Sequence, residues 1–240
     1  MIQAKFIMGM PITIEIVDLA VASDFREVFQ LFKQIDNRFS PYKKTSEVGK
    51  INRKEIASKD YSDDMKQVLG LAEKARKNTK GYFDVYSKGY FDPSGIVKGW
   101  AIQKATDVLL SKGFQNFFIN AGGDIQTHGK KNGKKWKVGI RNPFAYEEIV
   151  KVIMLSDQAI ATSGTAIRGD HIYNPHNKRQ KISDIVSISV IGKKILDVDL
   201  LATAAFAMGK NGIEFISSLP DVEGYMINKN GVATYTKGLN

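Results

Sequence analysis

The sequence predicts an α+β fold built on a largely antiparallel sheet. Segments with helical spacing of apolar residues mix with strand-like runs, without a regular β–α–β alternation. Strand-like segments follow one another between residues 116 and 162 with no helix between them. Hydrophobic content of 43% beside 25% charged residues is that of an ordinary globular chain. There is no internal repeat, low-complexity run or Pro/Gly/Ser linker, so residues 1–240 are expected to form a single domain.

The elements are predicted in order as follows. Residues 2–17 alternate through Phe6, Ile12, Ile14 and Ile16 and read as one strand. Residues 24–39 place Phe25, Val28, Phe29, Phe32, Ile35 and Phe39 on one helical face. A second helix covers 62–78 through Met65, Val68, Leu69, Ala72 and Ala75, and a third runs from about 95 to 112. Strands are expected at 116–120, 125–129, 135–141, 150–155, 159–162 and 185–191. Helices at about 198–208 and 211–218 and a hairpin around Asn230-Gly231 close the chain.

Composition excludes several classes. Cysteine is absent, which rules out disulfides, thiolate zinc sites and a cysteine nucleophile. No run approaches the roughly 18 apolar residues of a membrane span. The first residues carry no signal-peptide pattern, so a cytoplasmic location is expected. The net charge of +10 suits an anionic partner. The basic run Lys130-Lys131-Asn132-Gly133-Lys134-Lys135 contains Asn-Gly and reads as a solvated hairpin tip. It lacks the interleaved aromatics of a nucleic-acid surface, and no nucleic-acid partner is expected.

Four segments could carry chemistry. Asp199 and Thr203 stand four apart, on one face of a helix whose remainder is almost wholly apolar. A carboxylate and a hydroxyl there are hard oxygen ligands suited to magnesium, although Asp197 or Asp199 could equally cap the helix. Asp92-Pro93-Ser94-Gly95-Ile96-Val97-Lys98 turns into a helix start, where free amides and Lys98 could hold a phosphate or Ser94 could simply cap. Asn120-Ala121-Gly122-Gly123-Asp124 is a tight turn between strands. His171 lies between a Gly-Asp and an Asn-Pro turn, beside Tyr173, and could accept a proton near neutral pH. His128 and His176 look like strand-end or loop residues. No Rossmann fingerprint or phosphate-binding loop of correct spacing is present.

In this order the segments resemble the ApbE family, the FAD:protein FMN transferases. The resemblance runs through Met8-Gly9-Met10, Phe39-Ser40-Pro41-Tyr42, Ser46-Glu47-Val48, Ile51-Asn52, Gly81-Tyr82-Phe83-Asp84-Val85, the 92–101 segment, Asn120 to Asp124, Ala161 to Gly164, His171 to Pro175 and Asp199 to Gly209. It implies that Met8, Tyr42, Tyr82, Phe83, Asp84, Asp92, Lys98 and Tyr173 contact FAD. It implies Asp199, Thr203 and the main-chain carbonyl of Gly95 as Mg2+ ligands and His171 as the base. The implied reaction moves the FMN half of FAD to a Thr or Ser hydroxyl of an acceptor flavoprotein and releases AMP. A magnesium-dependent FAD pyrophosphatase and a non-catalytic FAD carrier are the rival readings.

The sequence also departs from the family pattern. Only seven residues separate Asp84 from Asp92, where many members carry a longer insertion. Ala202 stands where some members have Asp, and Asn174 where Asp-Pro is common.

Overall fold

The structure is a computed structural model that describes residues 1–86, 89–145, 147–166, 169, 172–177 and 181–239. Its main sheet has eight strands, all antiparallel to their neighbours. The strands are β1 (Ile2–Ile7), β2 (Met10–Ile16), β3 (Phe117–Ala121), β4 (Asp124–His128), β7 (Ala159–Gly164), β8 (Ile185–Gly192), β9 (Glu223–Asn228) and β10 (Ala233–Tyr235), adjacent in that order. A separate hairpin pairs β5 (Trp136–Arg141) with β6 (Ile149–Leu155).

The predicted single strand 2–17 is a hairpin. Met8 and Gly9 both take positive φ, 57° and 72°, and close a two-residue turn between Ile7 and Met10. Such turns usually announce themselves as Asn-Gly or Asp-Gly. A methionine in the left-handed region carries no such signal.

Helix α1 (Ala22–Phe39) buries the six apolar residues that its spacing selects. Helix α3 (Asp63–Asn78) starts where Ser62 accepts the Met65 amide. The six-residue α2 (Glu47–Asn52) was not predicted, because it is too short to show a period. Its cap is Ser46, whose Oγ accepts the Gly49 amide at 2.9 Å. Helices α4 (Ser94–Ser111), α5 (Ile195–Ala207) and α6 (Gly212–Ser217) complete the set.

Alternation along the strands divides the core between the two sheet faces. Ala159, Ala161, Ile188, Val190 and Met226 face the helices and join the larger core with Phe25, Phe32, Trp100 and Phe206. Ile125, Ile160, Ile191 and Ile227 face the other way and pack on Val138, Ile140, Ile153 and Leu155 of the β5–β6 hairpin.

Helices α4 and α5 cross at Gly99. A Cβ added there would lie 2.9 Å from both Cβ and Oδ2 of Asp199 and 3.2 Å from the Ile195 carbonyl oxygen. Gly70 of α3 would meet nothing within 4 Å. The two glycines therefore respond oppositely to alanine. Gly70→Ala gains about 0.5–1 kcal/mol from helix propensity. Gly99→Ala loses about 1–3 kcal/mol through overpacking that outweighs the same gain. Urea unfolding of the two variants checks the difference in sign.

Candidate functional site

The chain encloses a cavity of about 430 Å³ between the α4–α5 crossing, the ends of β3, β4 and β7, and β5 of the hairpin. Its size is in the range of small-molecule sites. Tyr82, Phe83, Asp84, Asp92, Gly95, Lys98, Tyr173, Asp199 and Thr203 all line it. Two predicted contact residues do not. Met8 sits in the β1–β2 turn against the main core, and Tyr42 is 93% exposed on the segment after α1. His171 lies outside the described residues.

Local hydrogen bonds hold the Tyr82–Phe83–Asp84 side of the wall. Thr79 Oγ1 accepts the Phe83 amide at 3.0 Å and donates to the Ala75 carbonyl at 2.8 Å. Tyr82 meets the ring of His176 edge-on at 4.6 Å, and His176 Nε2 lies 2.8 Å from the Lys80 carbonyl oxygen. Asp84 Oδ1 accepts the Tyr86 amide. Asn52 then grips Phe91 twice at 2.8 Å, donating to its carbonyl and accepting from its amide. This grip gives the Ile51-Asn52 segment a physical role that sequence reading did not supply. It anchors Phe91 next to Asp92.

At the start of α4, Asp92 supplies the cap. Its Oδ1 accepts the Ser94 amide at 3.1 Å, and no side chain caps the helix from Pro93. A Ser94 cap is one of the two readings of this segment, because Ser is a favoured N-cap residue. The preceding turn brings the Asp92 carboxylate to the amides instead.

The expected alternative for Asp199, a cap of its own helix, is also replaced. Helix α5 begins at Ile195, so Asp199 stands inside it. Asp199 Oδ2 accepts the Gly99 amide of α4 at 2.8 Å. In a regular helix that amide also faces the Gly95 carbonyl, so Asp199 and Gly95 address the same donor. Thr203 lies one turn further along α5, with Oγ1 3.5 Å from Ser163 Oγ of β7. A Cβ on Gly95 would be 3.7 Å from Thr203 Cγ2. The three residues singled out as ligands thus converge on one corner of the cavity.

Two further groups complete that corner. Lys98 Nζ lies 2.5 Å from Asp124 Oδ2 and 3.8 Å from Asp199 Oδ1. The Asp124 and Asp199 side chains are 2% and 5% exposed. Asp124 Oδ1 accepts the Thr162 amide at 3.1 Å. Sequence reading took Asp124 only as the end of a glycine turn; a carboxylate directly after paired glycines was the available signal. It also missed Lys137, Gly139 and Arg141, which bring β5 to the cavity wall.

Burial pushes the Asp199 carboxyl up to about 7, and Asp124 beside it adds to the rise. Lys98 and the Gly99 amide pull the other way without cancelling it. The donor set is carboxylate, hydroxyl and carbonyl oxygen in a pocket that favours a balancing cation, and it fits a hard divalent metal.

The raised value has a stability consequence. Unfolded Asp199 titrates near 3.8 and folded Asp199 near 7, so the folded chain holds the proton more tightly. This group's contribution to stability is greatest below the unfolded value and falls as pH rises toward the folded one. Asp199→Asn flattens that part of the stability–pH curve, as urea unfolding in chelator across the interval measures.

Comparison with known proteins places the chain in a family. The sequence profile described as "ApbE family" matches residues 8–90 and 86–226. An FAD:protein FMN transferase of Vibrio cholerae is 34% identical over 131 residues, 50% of this chain and 39% of that protein. One from Klebsiella pneumoniae is 26% identical over 149 residues, 58% of this chain and 46% of that protein. The chain thus spans less than half the length of these two relatives. One from Haemophilus influenzae is 23% identical over 275 residues, 87% of this chain and 80% of that protein. The solved flavin transferase ApbE from Vibrio cholerae superposes with a TM-score of 0.86 at 22% identity, covering 100% of this chain and 97% of that one. The ApbE protein of Thermotoga maritima gives 0.86 at 20% identity, covering 99% and 97%. These structures show the fold, and the profile, which matches most of the chain, shows that the chain belongs to the ApbE family.

Proposed function

We propose that residues 1–240 work as one flavin transferase domain that moves FMN from FAD to a Thr or Ser hydroxyl of an acceptor protein. The observation that carries this reading is the convergence of Gly95, Asp199 and Thr203 on the cavity that Tyr82, Phe83 and Tyr173 also line. Aromatic rings suit a flat flavin or adenine. Lys98, Lys137 and Arg141 on the walls suit a pyrophosphate. The activity of the related FAD:protein FMN transferases supports the same substrate class.

In this reading the acceptor oxygen attacks the phosphorus on the FMN side of the pyrophosphate. A phosphoester bond forms, the bond to the AMP oxygen breaks, and AMP leaves. The acceptor proton goes to His171, the base that the resemblance implies. The Gly95 carbonyl, Asp199 and Thr203 would hold Mg2+, which when bound neutralises charge on the pyrophosphate oxygens. Asp92, fixed at the start of α4, and Phe91, held by Asn52, support this side of the cavity. Among the described residues no helix is long and apolar enough to cross a membrane.

The test is intact-mass analysis of candidate flavoproteins co-expressed with this chain, followed by assay of purified components with FAD and Mg2+. A mass increase of one FMN on the acceptor and equimolar AMP are expected. His171→Ala and Asp199→Ala should each slow transfer by about 10²-fold or more. Transfer by His171→Ala at the wild-type rate removes the base assignment. FMN and AMP released equally fast with no acceptor present would make the chain a pyrophosphatase.

A further inference from the structure

The resemblance assigns Lys98 to FAD contact, yet its ammonium lies between two buried carboxylates. Each carboxylate is pinned by a backbone amide through its other oxygen: Asp124 Oδ1 by Thr162 and Asp199 Oδ2 by Gly99. Neither can turn away without breaking that bond. Asp124 Oδ2 and Asp199 Oδ1 are thereby left facing the same cation. Asp124 Oδ2 takes no well-directed hydrogen bond among the described residues, and the ammonium at 2.5 Å balances it by charge.

We propose that Lys98 is the tethered counter-ion of the Asp124–Asp199 pair, holding both carboxylates in the metal-free chain and competing with a divalent cation for them. The proposal rests on the metal clamp described under Proposed function. Two buried carboxylates need a positive partner, because removing one member of a buried ion pair leaves an uncompensated charge. Asp199 is both a partner of Lys98 and the carboxylate of the clamp, so one oxygen cannot serve both cations fully. Lysine suits this exchange. Its charge is compact and its stem flexible, whereas a guanidinium would lock to the carboxylates in a fork. Lys98 is 17% exposed and lines the cavity, so an ammonium that lets go of Asp199 stays beside any anion bound there. Lys98 is a positioning residue in this account. It acts through Asp124 and Asp199.

The experiment uses the full chain, stripped with chelator, and Mn2+ as the probe. Thermal melting is followed without metal, and Mn2+ affinity is measured by electron paramagnetic resonance. Lys98→Met should melt several degrees below wild type without metal and bind Mn2+ about tenfold more tightly, since a nearby positive charge is gone. Adding Asp124→Asn to Lys98→Met should restore the melting temperature, because the unpaired carboxylate and not the lost side chain causes the defect. A merely structural lysine would show no such rescue. Lys98→Met with wild-type melting, or with unchanged or weaker Mn2+ affinity, overturns the proposal. If Lys98→Met does not fold, the double variant decides: failure to recover overturns it as well. Asp199→Asn reports on the clamp separately. Wild-type Mn2+ affinity in that variant removes the clamp itself, while the metal-free melting and its rescue still decide whether Lys98 is the counter-ion.

Discussion

The site depends on one close approach, that of α4 to α5 at Gly99. With no side chain there, the α5 backbone comes near enough for Asp199 to reach the Gly99 amide at 2.8 Å. That single hydrogen bond does two things at once. It neutralises part of a buried carboxylate and fixes which oxygen of Asp199 faces the cavity. Gly95 and Thr203 come into register because they stand one turn away on either helix. Two rigid helices hold the corner, so its geometry does not rely on loop order.

The electrostatics follow from that packing. Apolar helices exclude water from Asp199, and burial raises the cost of its charge. Asp124 arrives from the sheet side and Lys98 from α4, so three charges meet where sheet and helices join. A cluster of this kind is a weak stabiliser of the fold.

The cavity also needs both faces of the sheet. Helices cover one face, and the β5–β6 hairpin covers part of the other through a second small core. The hairpin lends Lys137 and Arg141 to the wall, and the basic run at 130–135 is the turn that leads into it. Asp84, Val85 and Asp92 still line the wall, and Asn52 of α2 clamps Phe91 beside them.

The sequence alone determined what depends on local period and spacing. The helical faces of α1 and α3 and most strands lie where apolar spacing places them. Asp199 and Thr203 share a helix face because four residues are about one turn. Ordered motifs identified the family, and most of the residues they named do line one cavity. Tertiary structure decided everything that depends on distant partners. Gly99 and Asp199 are 100 residues apart, and no local pattern says that they touch. Asp124 gained its role only when Lys98 and Thr162 were brought to it. Asp92 displaced Ser94 as the cap, and Met8 became a turn residue instead of a strand residue. Met8 and Tyr42 stayed outside the cavity for the same reason. Spacing fixes which side chains share an element's face, whereas the packing of elements fixes what that face meets and which buried charges must find each other.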